Sequence, residues 1–273
     1  MRFTHGTVTY GRYREAVADS QVGCMLGFDV TEPAELVLQI AAAVPVTEKF
    51  ETDQPVEIVE LPDRQHYLRA PVGRLRVTYE AAVAPSGGPG PVTEVERIVA
   101  LRPSRYCPSD RLGGFASREF GGLSDATTAV RAITDWVYAH LTYLPGSSGP
   151  TTDAVDTLLG GAGVCRDYAH LVATLCRAID IPARVAAVYA PGLCPMDFHL
   201  VVETALDGRW RVWDATRLAP RPTLIRIATG RDAADTALAT TISGALTMPE
   251  IQIIAVAGDD LPLDDHAALV SLP

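Results

Sequence analysis

Two hydrophobic periods divide this chain. Through the first hundred residues apolar positions recur every second residue in short runs: 2–13, 35–43 around Leu36, Leu38 and Ile40, 56–61, and a longer strand or pair over 67–83. A proline- and glycine-rich loop at 85–91 precedes a further run read as a strand, 94–101. Strand-length runs at this spacing predict a β-sandwich over residues 1–103. Residues 104–123 show little periodicity and read as a connector.

From residue 124 the period lengthens. Ser124 or Asp125 caps a helix whose buried stripe is Val130, Ile133, Trp136, Val137 and Leu141. Tyr143 and a broken stretch at 145–150 follow, then a short helix over 153–159 and a pair of glycines. A third helix opens at Cys165, with Leu171, Val172, Leu175, Cys176 and Ile179 at three- and four-residue spacing until Ile181-Pro182 stops it. Strands are predicted at 181–189, 197–203 and 209–214, the last two joined by Asp207-Gly208, a strong hairpin signal. Beyond these come a strand at 223–228, a loop or helical turn at 231–238, a late apolar strand at 251–257 and an acidic tail at 258–273. The sum is an α+β chain with residues 124–273 forming a second domain.

The positions of three side chains turn this pattern into chemistry. Cys165 falls at a helix N-terminus, where unpaired N–H groups and the positive end of the helix dipole favour a thiolate. In the hairpin, a two-residue loop sets His199 opposite Thr216 and diagonal to Asp214, while a four-residue loop sets His199 and Asp214 face to face. Either even loop puts imidazole and carboxylate on one sheet face. The order nucleophile, base, base-orienter is that of a catalytic triad. His170, the rival base, is turned about 140° from the thiol at roughly 100° per residue and reads as structural. Cys107, before a proline, reads as a spectator. Cys194, Asp197 and His199 lie close in sequence, but the chain has no CxxC and no HxxxH, so no metal is expected.

The runs G-V-C-R-D-Y-A-H-L at 163–171, I-P-A-R-V at 181–185, D-F-H-L-V-V-E at 197–203 and W-D-A-T-R at 213–217 resemble the transglutaminase-like superfamily, in its bacterial, cysteine-protease-like branch. The segment 227–235 resembles what such proteins carry after the triad aspartate. The resemblance implies a papain-like core, a helix bearing the cysteine packed on an antiparallel sheet, and an N-terminal β domain. It also implies an aromatic residue upstream of the cysteine that helps hold an oxyanion, for which Tyr143 is the candidate. Arg166 stands where the family more often has glutamine and is a candidate for holding the thiolate or an anionic group. Asp167 is read as a cap of the helix or a substrate contact, and Asp197 as a neighbour of the cleft.

Composition narrows the partners. A net charge of -10 argues against nucleic acid and against an acidic membrane surface. Neither a leader-like apolar run near residue 1 nor a membrane-length segment is found, and five cysteines, an odd number, fit reduced thiols. The expectation is a cytoplasmic enzyme without cofactor that acts on a peptide or protein. The preferred activity is hydrolysis of a peptide or isopeptide amide through a thioester. Amine transfer and a non-catalytic binding module are the alternatives.

Overall fold

The computed structural model describes residues 19–84 and 90–272. The strand expected over 2–13 lies outside the described residues, as does most of the loop at 85–91. In chain order the strands and helices are β1 (Ser20–Leu38), β2 (Thr47–Thr52), β3 (Ile58–Leu61), β4 (Gln65–Ala70), β5 (Gly73–Val83), α1 (Glu94–Val99), α2 (Gly113–Phe120), α3 (Ala126–His140) and β6 (Thr142–Tyr143). They continue with α4 (Ala154–Gly160), β7 (Ala162–Gly163), α5 (Cys165–Ala178), β8 (Ala183–Tyr189), β9 (Phe198–Leu206), β10 (Arg209–Trp213), β11 (Ile225–Gly230) and β12 (Ala239–Val256).

The α+β architecture has two layers of antiparallel sheet. In the first, β1 is long enough to serve two sets of neighbours: Ser20–Val30 pairs with β5, and Ala34–Leu38 pairs with β4. Strands β2 and β3 extend the two flanks, and β12 runs along β1 with irregularities of register. Gly244 (φ 79°) allows one of these irregularities, because a Cβ there would stand 2.2 Å from the Pro33 carbonyl oxygen. Alternating inward residues of β1, β4 and β5, among them Leu26, Phe28, Leu36, Leu68, Leu75, Val77 and Tyr79, fill the core of this layer.

The second layer is the sheet β10-β9-β8-β11. Helix α5 lies against it, buried along most of its length, and α3 packs on α5 through Val130, Ile133 and Val137. Asp125 caps α3 as expected, accepting from the Thr128 N–H. The two layers share a core: Tyr189, Ile225 and Ile227 pack with the β1–β5 side chains, and the Tyr189 hydroxyl donates to the Ile40 carbonyl at 2.7 Å.

Three segments differ from their expected form. Residues 94–101, read as a strand, begin with the helix α1. Thr93 and Glu96 form a reciprocal capping box, and Glu94 pairs with Arg97 one turn on, so local bonds favour the helix over an edge strand without partners. The connector at 104–123 contains α2, whose Ala116 and Phe120 are buried. The late strand is longer than 251–257, since β12 starts at Ala239 and follows β1 almost from end to end.

Candidate active site

Helix α5 is delivered by a short parallel pairing. Thr142 and Tyr143 of β6 lie beside Ala162 and Gly163 of β7, which sets Tyr143 two residues from Cys165. Gly161 takes the left-handed conformation (φ 65°) that ends α4 and turns the chain into β7. Asp167, with no exposed surface, accepts hydrogen bonds from the Val164 N–H (2.8 Å) and the Ser148 hydroxyl (2.5 Å), closing the first turn of α5. Asp167 thus caps the helix. The Arg166 guanidinium donates to the Gly149 carbonyl (2.8 Å) and the Ser148 hydroxyl (3.2 Å) and pairs with Asp167 (3.2 Å), tying the loop before α4 to the start of α5.

The hairpin has the shorter of the two expected loops. Leu206 faces Arg209, and Asp207 and Gly208 both take positive φ (51° and 71°), as a two-residue turn of right-handed twist requires. His199 lies on β9, and Asp214 immediately follows β10. His199 Nε2–H donates to Asp214 Oδ2 at 2.9 Å, while Asp214 Oδ1 accepts from the Thr216 N–H (2.9 Å) and hydroxyl (2.7 Å). Both residues are buried. Nε2 is thus occupied, and Nδ1 is the ring nitrogen left for the Cys165 thiol beside it.

Burial alone would lower the His199 pKa, but the Asp214 charge, its hydrogen bond and the neighbouring thiol outweigh it and raise the value to about 10. Burial works in the opposite sense on Asp214, where the His199 charge and the Thr216 bonds nonetheless hold the carboxyl below its ordinary range. The site therefore stabilises an imidazolium between a carboxylate and a thiol.

Cys165 is half-buried, whereas Cys24, Cys107 and Cys176 are core residues whose thiols are pushed up by burial to about 12, 11 and 12. Cys194 is exposed. The Tyr143 hydroxyl lies beside the Cys165 backbone N–H, and burial and the Cys165 charge raise its pKa. Asp197 is exposed and accepts from the N–H of its neighbour Phe198 at 2.8 Å, which places it at the rim and outside the carboxylate–imidazole–thiol line. His170 sits on the far side of α5, where its Nε2 accepts the Ala233 N–H at 3.0 Å and its ring stacks on Tyr106. Among the described residues, no three His, Cys, Asp or Glu side chains form a group that could hold a metal ion, and no helix is long and apolar enough to cross a membrane.

A mainly apolar cavity of about 180 Å³ opens onto the thiol and the imidazole, walled by Phe198, Leu200, Ile227, Leu238 and Gln39. Gln39 comes from the end of the N-terminal layer. It is the one polar residue of 36–43, a signal that sequence reading passed over.

Residues 115–215, which hold the thiol, the imidazole and the carboxylate, match the model of the transglutaminase-like superfamily. A solved structure of a putative cysteine protease from Cytophaga hutchinsonii is 33% identical, with 92% of this chain and 96% of that one covered and a TM-score of 0.83. The chain belongs to the transglutaminase-like superfamily, a family of thiol-dependent amide chemistry. An uncharacterized protein of Mycobacterium leprae is 28% identical over 158 residues, 54% of this chain and 55% of that one, so the match spans about half the length of that curated relative. The periplasmic domain of TgpA from Pseudomonas aeruginosa is 20% identical over 76% of this chain and 92% of its own, with a TM-score of 0.41, a likeness too loose to carry an argument.

Proposed function

We propose that this protein hydrolyses a peptide or isopeptide amide through a thioester on Cys165. The observation that carries the reading is one line of groups: buried Asp214 fixes buried His199 by its Nε2, and the half-buried thiol at the start of α5 lies beside the same ring. In the proposed reaction His199 takes the proton of Cys165, and Asp214 stabilises the resulting imidazolium. The thiolate attacks the amide carbonyl carbon. The Cys165 backbone N–H and the Tyr143 hydroxyl, bonded to one another in the free protein, supply the donors for the oxyanion, and His199 returns its proton to the departing amine. Water, deprotonated by His199, then attacks the thioester and frees the carboxylic acid.

The test has two stages. Iodoacetamide labelling mapped over all five cysteines should fall first on Cys165 well below pH 8.5, the ordinary thiol pKa, and should slow in His199→Ala. Uniform slow labelling would remove the thiol–imidazole pair from the reading. With casein and monodansylcadaverine together, new amino groups without dye uptake support hydrolysis. Dye incorporation instead would replace hydrolysis by amine transfer.

A further inference from the structure

Two cavities share a wall in this protein. The smaller holds the thiol and the imidazole, and the larger, about 730 Å³, lies between the N-terminal layer and β11. Gln39 and Ile227 line both. The backbone around Gln39 is pinned: its N–H donates to the Leu238 carbonyl at 3.0 Å, and the next carbonyl, of Ile40, accepts the buried Tyr189 hydroxyl. Among the described residues its side-chain amide has no hydrogen-bond partner, so a donor and an acceptor stand at the junction with their bonds to offer.

The larger cavity continues that chemistry. Strand β11 is the last in its sheet, and Thr229 and Gly230 border the cavity. On the edge of β11 turned away from β8, the Arg226 carbonyl accepts the Ala43 N–H at 2.8 Å, and beyond it the edge meets no other strand among the described residues. The cations of the lining are already matched: Arg64 pairs with Glu48 and Glu60, and Arg226 with Glu203. A polar, largely charge-compensated space beside a strand edge suits the neutral amides of an extended main chain better than an anionic ligand. At this size it has room for several residues.

We infer that Gln39 is a substrate-contacting residue and that the larger cavity receives the acyl-side residues of an extended polypeptide, paired along β11. The inference rests on the thiol chemistry proposed above. The acyl fragment is the part assigned there because it stays on Cys165 through both half-reactions, whereas the amine leaves after the first.

The test compares acetyl-alanyl and acetyl-tetraalanyl chloromethyl ketones, in which the thiolate forms an S–C bond as chloride leaves. Because main-chain pairing is the claim, alanine is a sufficient side chain. The longer probe should modify Cys165 about 10-fold faster, the equivalent of roughly 1.4 kcal/mol. Gln39→Ala, and Thr229→Trp which fills the cavity, should bring the ratio of long to short towards one. Should the tryptophan variant fail to fold, Gln39→Glu, which keeps the size and removes the N–H₂ donor, reads the same ratio. A ratio near one in the unmodified protein, or a ratio that survives the Gln39 substitutions, overturns the inference. Iodoacetamide separates the two failures: rapid labelling of Cys165 with a flat ratio sinks only the larger cavity's role, and slow labelling sinks the thiol chemistry itself.

Discussion

The β9–β10 hairpin and the buried flank of α5 each hold a histidine away from water, and they leave it in opposite charge states. His199 is raised to about 10 and His170 is lowered to about 4. In both cases burial disfavours the imidazolium, so burial does not decide the outcome. A carboxylate stands near each ring as well. The difference lies in where its oxygens are spent. Asp214 gives one oxygen to the His199 ring, whereas Asp232 gives its two to the N–H groups of Tyr106 and Ala234. The His170 ring itself accepts from the Ala233 N–H, a bond that requires an unprotonated nitrogen. A charge nearby is thus weaker than a charge bonded to the ring.

The strongest way to break this comparison is Asp214→Asn. The amide keeps the volume but loses the charge that holds the His199 proton, so the ring should titrate far below 10 and the acid limb of Cys165 alkylation should move with it. Turnover should fall by about 10³-fold or more. Imidazole NMR titration checks the first effect and a pH–rate profile the second; a ring that still titrates near 10 would show that Asp214 is not the source.

Stability against pH gives a second test, because the two rings act with opposite sign. A raised histidine pKa contributes stability in full below the unfolded value of about 6.5, and it is lost as pH rises towards about 10, the folded value of His199. A lowered one costs stability as pH falls below about 6.5, the cost growing until the folded value of His170, about 4. Denaturation midpoints should therefore decline on both sides of roughly pH 6.5. His199→Gln should flatten the alkaline decline, and His170→Gln the acid one. A flat profile in the unmodified protein would contradict both assignments.

His170→Ala should cost about 1–3 kcal/mol, because the Ala233 N–H loses its buried acceptor and the stack on Tyr106 is lost. The pH profile of Cys165 alkylation should stay where it is. Denaturant unfolding reads the first quantity; a moved profile would mean that the two histidines are coupled across α5.

What the sequence disclosed here follows the range of the forces involved. The Asp207-Gly208 turn and the two-residue alternation around it brought His199 and Asp214 together without any long-range information, and the helical spacing after Gly163 put Cys165 at a helix start. These are local rules. Strand β12 is the contrary case: Gln21 pairs with Val256 across the whole described chain, and the Thr, Ser, Gly and Pro residues of β12 blur the alternation that would mark a strand before residue 251. Segment 94–101 was ambiguous for a different reason. Val95 and Val99 share a face under either period, Ile98 joins them only in a helix, and the box formed by Thr93 and Glu96 settles it. Gln39 was hidden because its meaning depends on β11, which only the packed layers bring beside it.

The smallest expected effect tests the comparison most finely. Arg166 follows Cys165 at the start of α5, four residues before His170: its guanidinium is among the groups that lower His170, while Asp167 beside it acts the other way. Arg166→Gln keeps a donor for the Gly149 carbonyl and deletes the cation. The ion pair with Asp167 is partly exposed on the arginine side, so its loss should cost no more than about 1 kcal/mol. The His170 ring should titrate slightly higher, because one of its opposing charges is gone and burial still dominates. The His199 ring should not move, since its proton is held by Asp214 and the thiol. Selective ¹⁵N labelling of histidine resolves both rings in one titration; a shift of His199 as large as that of His170 would mean that one field at the start of α5 governs both sites, and the contrast between bonded and unbonded carboxylates would lose its explanatory force.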